Sequence, residues 1–126
     1  MTSIVGAFNN HFVEFLEDVQ TIFPNDKQIK TAKSALLMLK KANPSAIVKI
    51  WKANITSKYK QKIVDGDISF FLEKDYSEDL QGNGNQNTIM ESINRLRDPI
   101  RNMGEDNQKK AMKYIQNLTK ISELYN

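Results

Sequence analysis

The stretch from 4 to 23, IVGAFNNHFVEFLEDVQTIF, decides how the rest of the chain is read. Its apolar positions are Ile4, Val5, Phe8, Phe12, Phe15, Leu16, Val19, Ile22 and Phe23, recurring in steps of three and four. At 100° per residue these gather on one side of an α-helix, whereas a half-buried strand would alternate at every second residue. Ser3 stands where a hydroxyl caps the first free amides, and Pro24 pushes Phe23 out of helical geometry. A helix with so wide an apolar side needs partners, and the downstream sequence supplies them in the same periodicity.

Asp26 is placed to cap a second helix that turns Ile29, Ala32, Leu36 and Leu39 inward and sets Lys27, Lys30, Lys33, Lys40 and Lys41 on its other side. Asn43-Pro44 opens a third, with proline at the first helical position, where its missing N–H costs nothing. Its stripe of Ile47, Ile50, Trp51 and Ile55 weakens at Thr56-Ser57 before Tyr59 and Ile63 resume it, which predicts a break or kink. Asp65-Gly66-Asp67 reads as a helix stop followed by a new cap. The short apolar segment Ile68, Phe70, Phe71, Leu72 is then helix rather than strand, because a cap precedes it and no partner strand pattern exists elsewhere.

Residues 77–87, rich in Gly and Asn, read as a flexible loop. Thr88 and Glu91 have the spacing of a capping box, and Ile89, Ile93, Leu96, Ile100 and Met103 continue a helical stripe. Pro99 interrupts it, predicting either a kink or a stop near Arg97 and a restart with Asp98 as cap. Gly104 ends that helix and Asp106 caps a last one carrying Ala111, Tyr114, Ile115, Leu118, Ile121 and Tyr125. The expected fold is all-α: a compact single-domain bundle of five to seven helices over 1–126, its first and last helices the long ones.

The 126 residues suffice for one core, and 40% hydrophobic against 26% charged residues is a globular balance rather than a disordered one. With no cysteine, disulfides, thiolate nucleophiles and sulfur metal sites are all excluded. Glu14, Glu17 and Asp18 interrupt the first apolar stretch, no basic segment precedes it, and nowhere do about 18 uncharged apolar residues run together, so the reading is neither secreted nor membrane-bound but intracellular. The glycosylation-type triplets at Asn54 and Asn117 fall in helical stretches and are read as chance.

Charge is unevenly placed. Residues 27–62 carry ten lysines and no acid, while residues 63–91 carry seven acids against Lys74. Such a basic run either solvates helix faces and neutralises its acidic neighbours or attracts phosphates by counterion release. For nucleic acid the candidates are Lys40, Lys41, Lys49, Lys52, Lys58, Lys60 and Lys62, with Trp51 and Tyr59 as bases' stacking partners, although their helical spacing favours the core. Lysine also lacks the planar fork that arginine offers a phosphate.

No catalytic constellation is found. His11 is the single histidine, so Ser/His/Asp chemistry would hang on it alone, and it reads as a structural or surface residue. Asp65, Asp67, Glu73 and Asp75 are close in sequence, but Phe70 replaces the turn glycine of a calcium loop and Tyr76 its final glutamate. Gly82-Asn83-Gly84 follows no strand and lacks the lysine of a phosphate loop. The expectation is therefore no metal, no cofactor and no small-molecule substrate.

The series Phe8, Phe15-Leu16, Phe23-Pro24, Asn43-Pro44, Trp51, Tyr59, Ile63, Asp67-Ile68-Ser69-Phe70-Phe71-Leu72 and Asp75-Tyr76 resembles small uncharacterised proteins encoded by large DNA viruses of algae and protists. That resemblance covers about the first 76 residues and implies an intracellular viral origin, in host cytoplasm or virus factory, and an all-helical fold; it brings no activity and no site residues. The nine apolar positions of the first helix, set against so short a chain, point to a non-catalytic interaction or assembly protein working through a helical surface, by self-association or with a protein partner. The alternative is a non-specific nucleic-acid-binding accessory protein.

Overall fold

Ser3 accepts a hydrogen bond from the Gly6 amide and opens α1, Ile4–Ile22. In the computed structural model, which describes residues 3–73 and 84–125, every regular element is helical. Asp26 caps α2, Lys27–Ala42, by accepting from the Gln28 and Ile29 amides. Pro44 then starts α3, Pro44–Trp51, with Asn43 at the cap position but making no side-chain bond.

The expected irregularity near Thr56 is a π-helical turn, Lys52–Thr56, closed by the Ser57 amide on the Lys52 carbonyl five residues back. Asn54 and Ser57 donate their side chains to the Ile50 and Ala53 carbonyls, so the wide turn keeps its backbone acceptors occupied. Helix α4, Ser57–Val64, continues from it and stops at Gly66. There the Asp67 amide reaches the Lys62 carbonyl and the Gly66 amide that of Ile63, the paired bonds of a Schellman end, with Gly66 at φ +75°. Asp67 immediately accepts from Ser69 to begin α5, Ser69–Glu73.

Two expected boundaries move. Helix α6 spans Gly84–Arg95, so residues 84–87 are helical rather than loop, and Thr88 lies inside the helix, donating to the Gly84 carbonyl instead of capping. Burial of Ile89, Met90 and Ile93 extends the helix through weak helix formers, because packing outweighs local propensity. The remainder of the expected loop, 77–83, lies outside the described residues.

Around Pro99 the chain restarts as α7, Arg97–Asn102, after a single non-helical residue, Leu96. Asp98 sits within the first turn, paired with Arg101, and does not cap. Likewise Gly104, not Asp106, holds the cap position of α8, Glu105–Leu124, and Asp106 lies in the first turn, where a carboxylate favours the helix dipole. Counting α3, the π turn and α4 as one continuous run, the described residues form seven helical stretches, within the expected five to seven.

Helix α1 lies against α8 on one side and against α2 and α3 on another, while α6 packs along α2 and the π turn and α4 pack on α8. Phe8 and Phe12 meet the Trp51 ring edge to face, at centroid distances of 5.9 and 5.5 Å. All three are buried, and each such side chain stabilises the fold by about 1.5–3 kcal/mol. Of the nine apolar positions on α1, Phe8, Phe12, Phe15, Leu16 and Val19 are buried and Ile4, Val5 and Phe23 partly so; only Ile22 is exposed. The chain thus covers most of a surface that its sequence alone suggested was left for a partner.

Candidate functional site

The seven candidate lysines do not share one role. Lys52 donates to the Tyr125 carbonyl at 2.5 Å and Lys60 pairs with Glu123 at 2.7 Å, so both neutralise the carboxyl end of α8. Lys40 reaches back to Asn10 on α1. Lys62 lies near Asp67, whose carboxyl is held below its ordinary value chiefly by the Ser69 hydroxyl and amide, with Lys62 adding a smaller push. Lys41, Lys49 and Lys58 are exposed. Trp51 is 1% exposed and donates to Thr119, so its ring is not available to a base, while Tyr59 is half-buried with one face stacked on Phe70 at 5.3 Å.

A different constellation forms where α1 crosses α8. Steps of three and four along α1 bring His11, Glu14 and Asp18 to one edge, and Tyr114 of α8 lies across it. The Tyr114 hydroxyl donates to Asp18 at 2.5 Å and lies 3.3 Å from a Glu14 oxygen. Its ring stacks on Phe15 at 5.1 Å and tilts over the His11 imidazole at 4.9 Å. Burial, with the two carboxylates beside it, pushes the Tyr114 phenol well above its ordinary value. At neutral pH it is a proton donor that orients carboxylates and not an activated nucleophile.

His11 Nδ1 is 3.9 Å from Glu14, too far for a hydrogen bond, and its Nε2 is buried without a hydrogen-bond partner among the described residues. Two hollows run along this seam and share Asp18, Lys110 and Tyr114. The more enclosed one, about 230 Å³, is floored by Phe15, Val19, Ile22, Met103 and Ala111. The second, about 440 Å³, is bordered by His11, Glu14 and Lys113. Together they make a groove with an apolar floor, an acidic α1 wall and a lysine-bearing α8 wall.

Of these residues only His11 stands out in sequence as a candidate for chemistry; Glu14, Asp18, Lys110, Lys113 and Tyr114 read there as helix-surface charges and a stripe position. The signal was present as polar residues at helical spacing on two elements, but their pairing exists only once α1 and α8 are packed. Among the described residues no group of three or more His, Asp or Glu is placed to hold a metal ion, and no helix is long and apolar enough to cross a membrane. The triplets at Asn54 and Asn117 both lie in helices, with Thr56 and Thr119 buried. Compared with protein-family models, curated proteins and solved structures, the chain gives no match.

Proposed function

We propose that this chain is a non-catalytic interaction or assembly protein, virus-encoded and intracellular, that engages a protein partner through the α1–α8 groove. The observation that carries the reading is the half-open hollow beside Tyr114, apolar below and lined at its rim by Asp18 and Lys110. Its volume lies under the roughly 300–1,000 Å³ of ordinary small-molecule sites and suits one large apolar side chain from a docked segment. The charged rim would then set the orientation of that segment, as polar rims do around buried anchors. Because the chain covers most of α1 by itself, the groove and not the bare helix supports this reading.

A peptide-display selection against the folded chain tests it, with Ile22→Glu as the blocking variant, since Ile22 is 37% exposed at the edge of the hollow. Selected peptides share a large apolar anchor and lose binding to Ile22→Glu. The proposal is dropped if no selected peptide depends on Ile22 and light scattering finds a monomer at all concentrations.

For non-specific nucleic-acid binding the exposed Lys41, Lys49 and Lys58 remain as candidates, while of the two stacking candidates Trp51 is buried in the core and Tyr59 half-buried against Phe70. That reading requires duplex binding that weakens steeply with salt. A gel-shift series beginning at low salt decides it.

A further inference from the structure

Helix α2 contains no acidic residue, and its five lysines divide by direction. Lys33 and Lys40 turn toward α1, where Lys33 meets Gln20 at 3.2 Å and Glu17 at 4.0 Å, and Lys40 meets Asn10 at 3.1 Å. Lys27, Lys30 and Lys41 are exposed and carry no ion pair among the described residues. Between them on the same face lie Thr31, Ser34, Leu37 and Met38, all exposed, with Met38 at 71%.

At 100° per residue, Lys27, Lys30, Thr31, Ser34, Leu37, Met38 and Lys41 fall within a band about 120° wide, centred opposite the buried Ile29, Ala32, Leu36 and Leu39. The band runs for about 21 Å at 1.5 Å per residue. Its spacing of seven, with three- and four-residue steps between, is that of a helix-packing seam. Small Thr31 and Ser34 at its centre allow close approach of a neighbouring backbone, Leu37 and Met38 supply apolar contact, and lysines close both ends.

From this we infer that the outward face of α2 is a docking surface for an acidic amphipathic helix of a partner protein. Charge selects the occupant: three unpaired lysines on a helix without acids repel basic segments and attract carboxylates flanking an apolar seam. A phosphate backbone would satisfy the lysines but leave Leu37 and Met38 in water, and the basic segment's Trp51 is buried and cannot stack. The surface lies away from the α1–α8 groove and the inference does not depend on it, so the chain has two faces with which to hold two partners.

The test is fluorescence anisotropy of a labelled helical peptide built of heptads, with Leu and Ile on its seam and Glu at flanking positions, titrated with the full chain. Saturable binding is expected at low salt. It should weaken at least about tenfold when Lys27, Lys30 and Lys41 are all changed to Glu, and again when Leu37 and Met38 are changed to Ser. A peptide with Lys in place of Glu should not bind, and Ile22→Glu should leave binding unchanged, which separates this face from the groove. All five substituted positions are exposed, and circular dichroism of each variant checks that the helices persist. Absence of binding to the wild-type chain, or binding indifferent to these changes, overturns the inference. So does tighter lysine-dependent binding to duplex DNA or to vesicles of anionic lipid, which would give the face to another class of partner.

Discussion

The Trp51 indole nitrogen donates to the Thr119 hydroxyl at 3.2 Å in the core, joining α3 to α8 at the point where Phe8 and Phe12 close around the ring. Thr119 in turn donates to the Ile115 carbonyl at 2.9 Å, so its single proton is spent and only its lone pairs face the indole. Thr119→Val therefore strands a buried N–H and should cost about 1–3 kcal/mol, whereas Thr119→Ser keeps the acceptor and costs less. Urea unfolding followed by fluorescence of Trp51, the single tryptophan, measures both.

One turn further along, Thr56 and Ser122 lie 2.7 Å apart in the same seam. Ser122 already donates to the Thr119 carbonyl, so Thr56 supplies the proton between the two hydroxyls. Ser122→Ala leaves Thr56 without its acceptor, while adding Thr56→Val removes the stranded donor. The double variant should be less destabilised than the two single losses added together, by a coupling of about 0.5–3 kcal/mol in a double-mutant cycle. Strict additivity would show that the two hydroxyls do not depend on each other.

At the end of α4 the backbone of Gly66 is left-handed, at φ +75°, and a Cβ there would meet only the Gln116 amide nitrogen, at an ordinary contact distance of 3.9 Å. Gly66→Ala meets no clash and suffers only the backbone penalty, about 1–2 kcal/mol. Thermal unfolding should register that loss, and a substitution that leaves the melting temperature unchanged would mean the Schellman end forms otherwise.

Tyr114 couples stability to alkaline pH. Its phenol is raised above the ordinary value of 10.0 by burial and by Asp18 and Glu14, so the folded state favours the neutral form more than the unfolded state does. The stabilisation is complete below pH 10.0 and is lost as pH rises through that value toward the higher folded one. Relative to wild type, Tyr114→Phe should show a shallower fall in stability on the alkaline side. Phenolate absorbance of the native chain should contain a component that titrates above the ordinary tyrosine value and is missing from Tyr114→Phe.

Much of this architecture was readable from residue order because local and tertiary signals agree. Ser3, Asp26 and Gly66 mark ends that the fold uses as such; the stripe from Ile29 to Leu39 is buried as its spacing requires, and in that of the last helix Ala111, Ile115 and Leu118 are buried and Tyr114, Ile121 and Tyr125 partly so. The misplaced start of α6 has the opposite cause: Thr88 and Glu91 imitate a cap, but the hydrophobic contact of Ile89 and Ile93 with the body of the protein decides where the helix runs. The groove was hidden for a different reason. Tyr114 lies 96 residues from the Asp18 it bonds, and no local pattern announces a pairing made across the whole chain. The division of the lysines also needed the packed structure, since Lys33 and Lys30 look alike until α1 lies beside one of them.

The wide turn at Lys52–Thr56 takes up one residue of chain that a regular helix would not hold there. A π turn carries one residue more than an α turn, and the surplus brings Ile55 and Thr56 together into the seam with α8. Excising one residue there would let the turn close to α geometry, keeping Tyr59 and Ile63 on the Trp51 side of the helix but taking Ile55 or Thr56 out of the seam. Ala53, solvent-facing and chemically bland, is thus a position whose loss α4 tolerates and the buried Ile55–Thr56 pair does not.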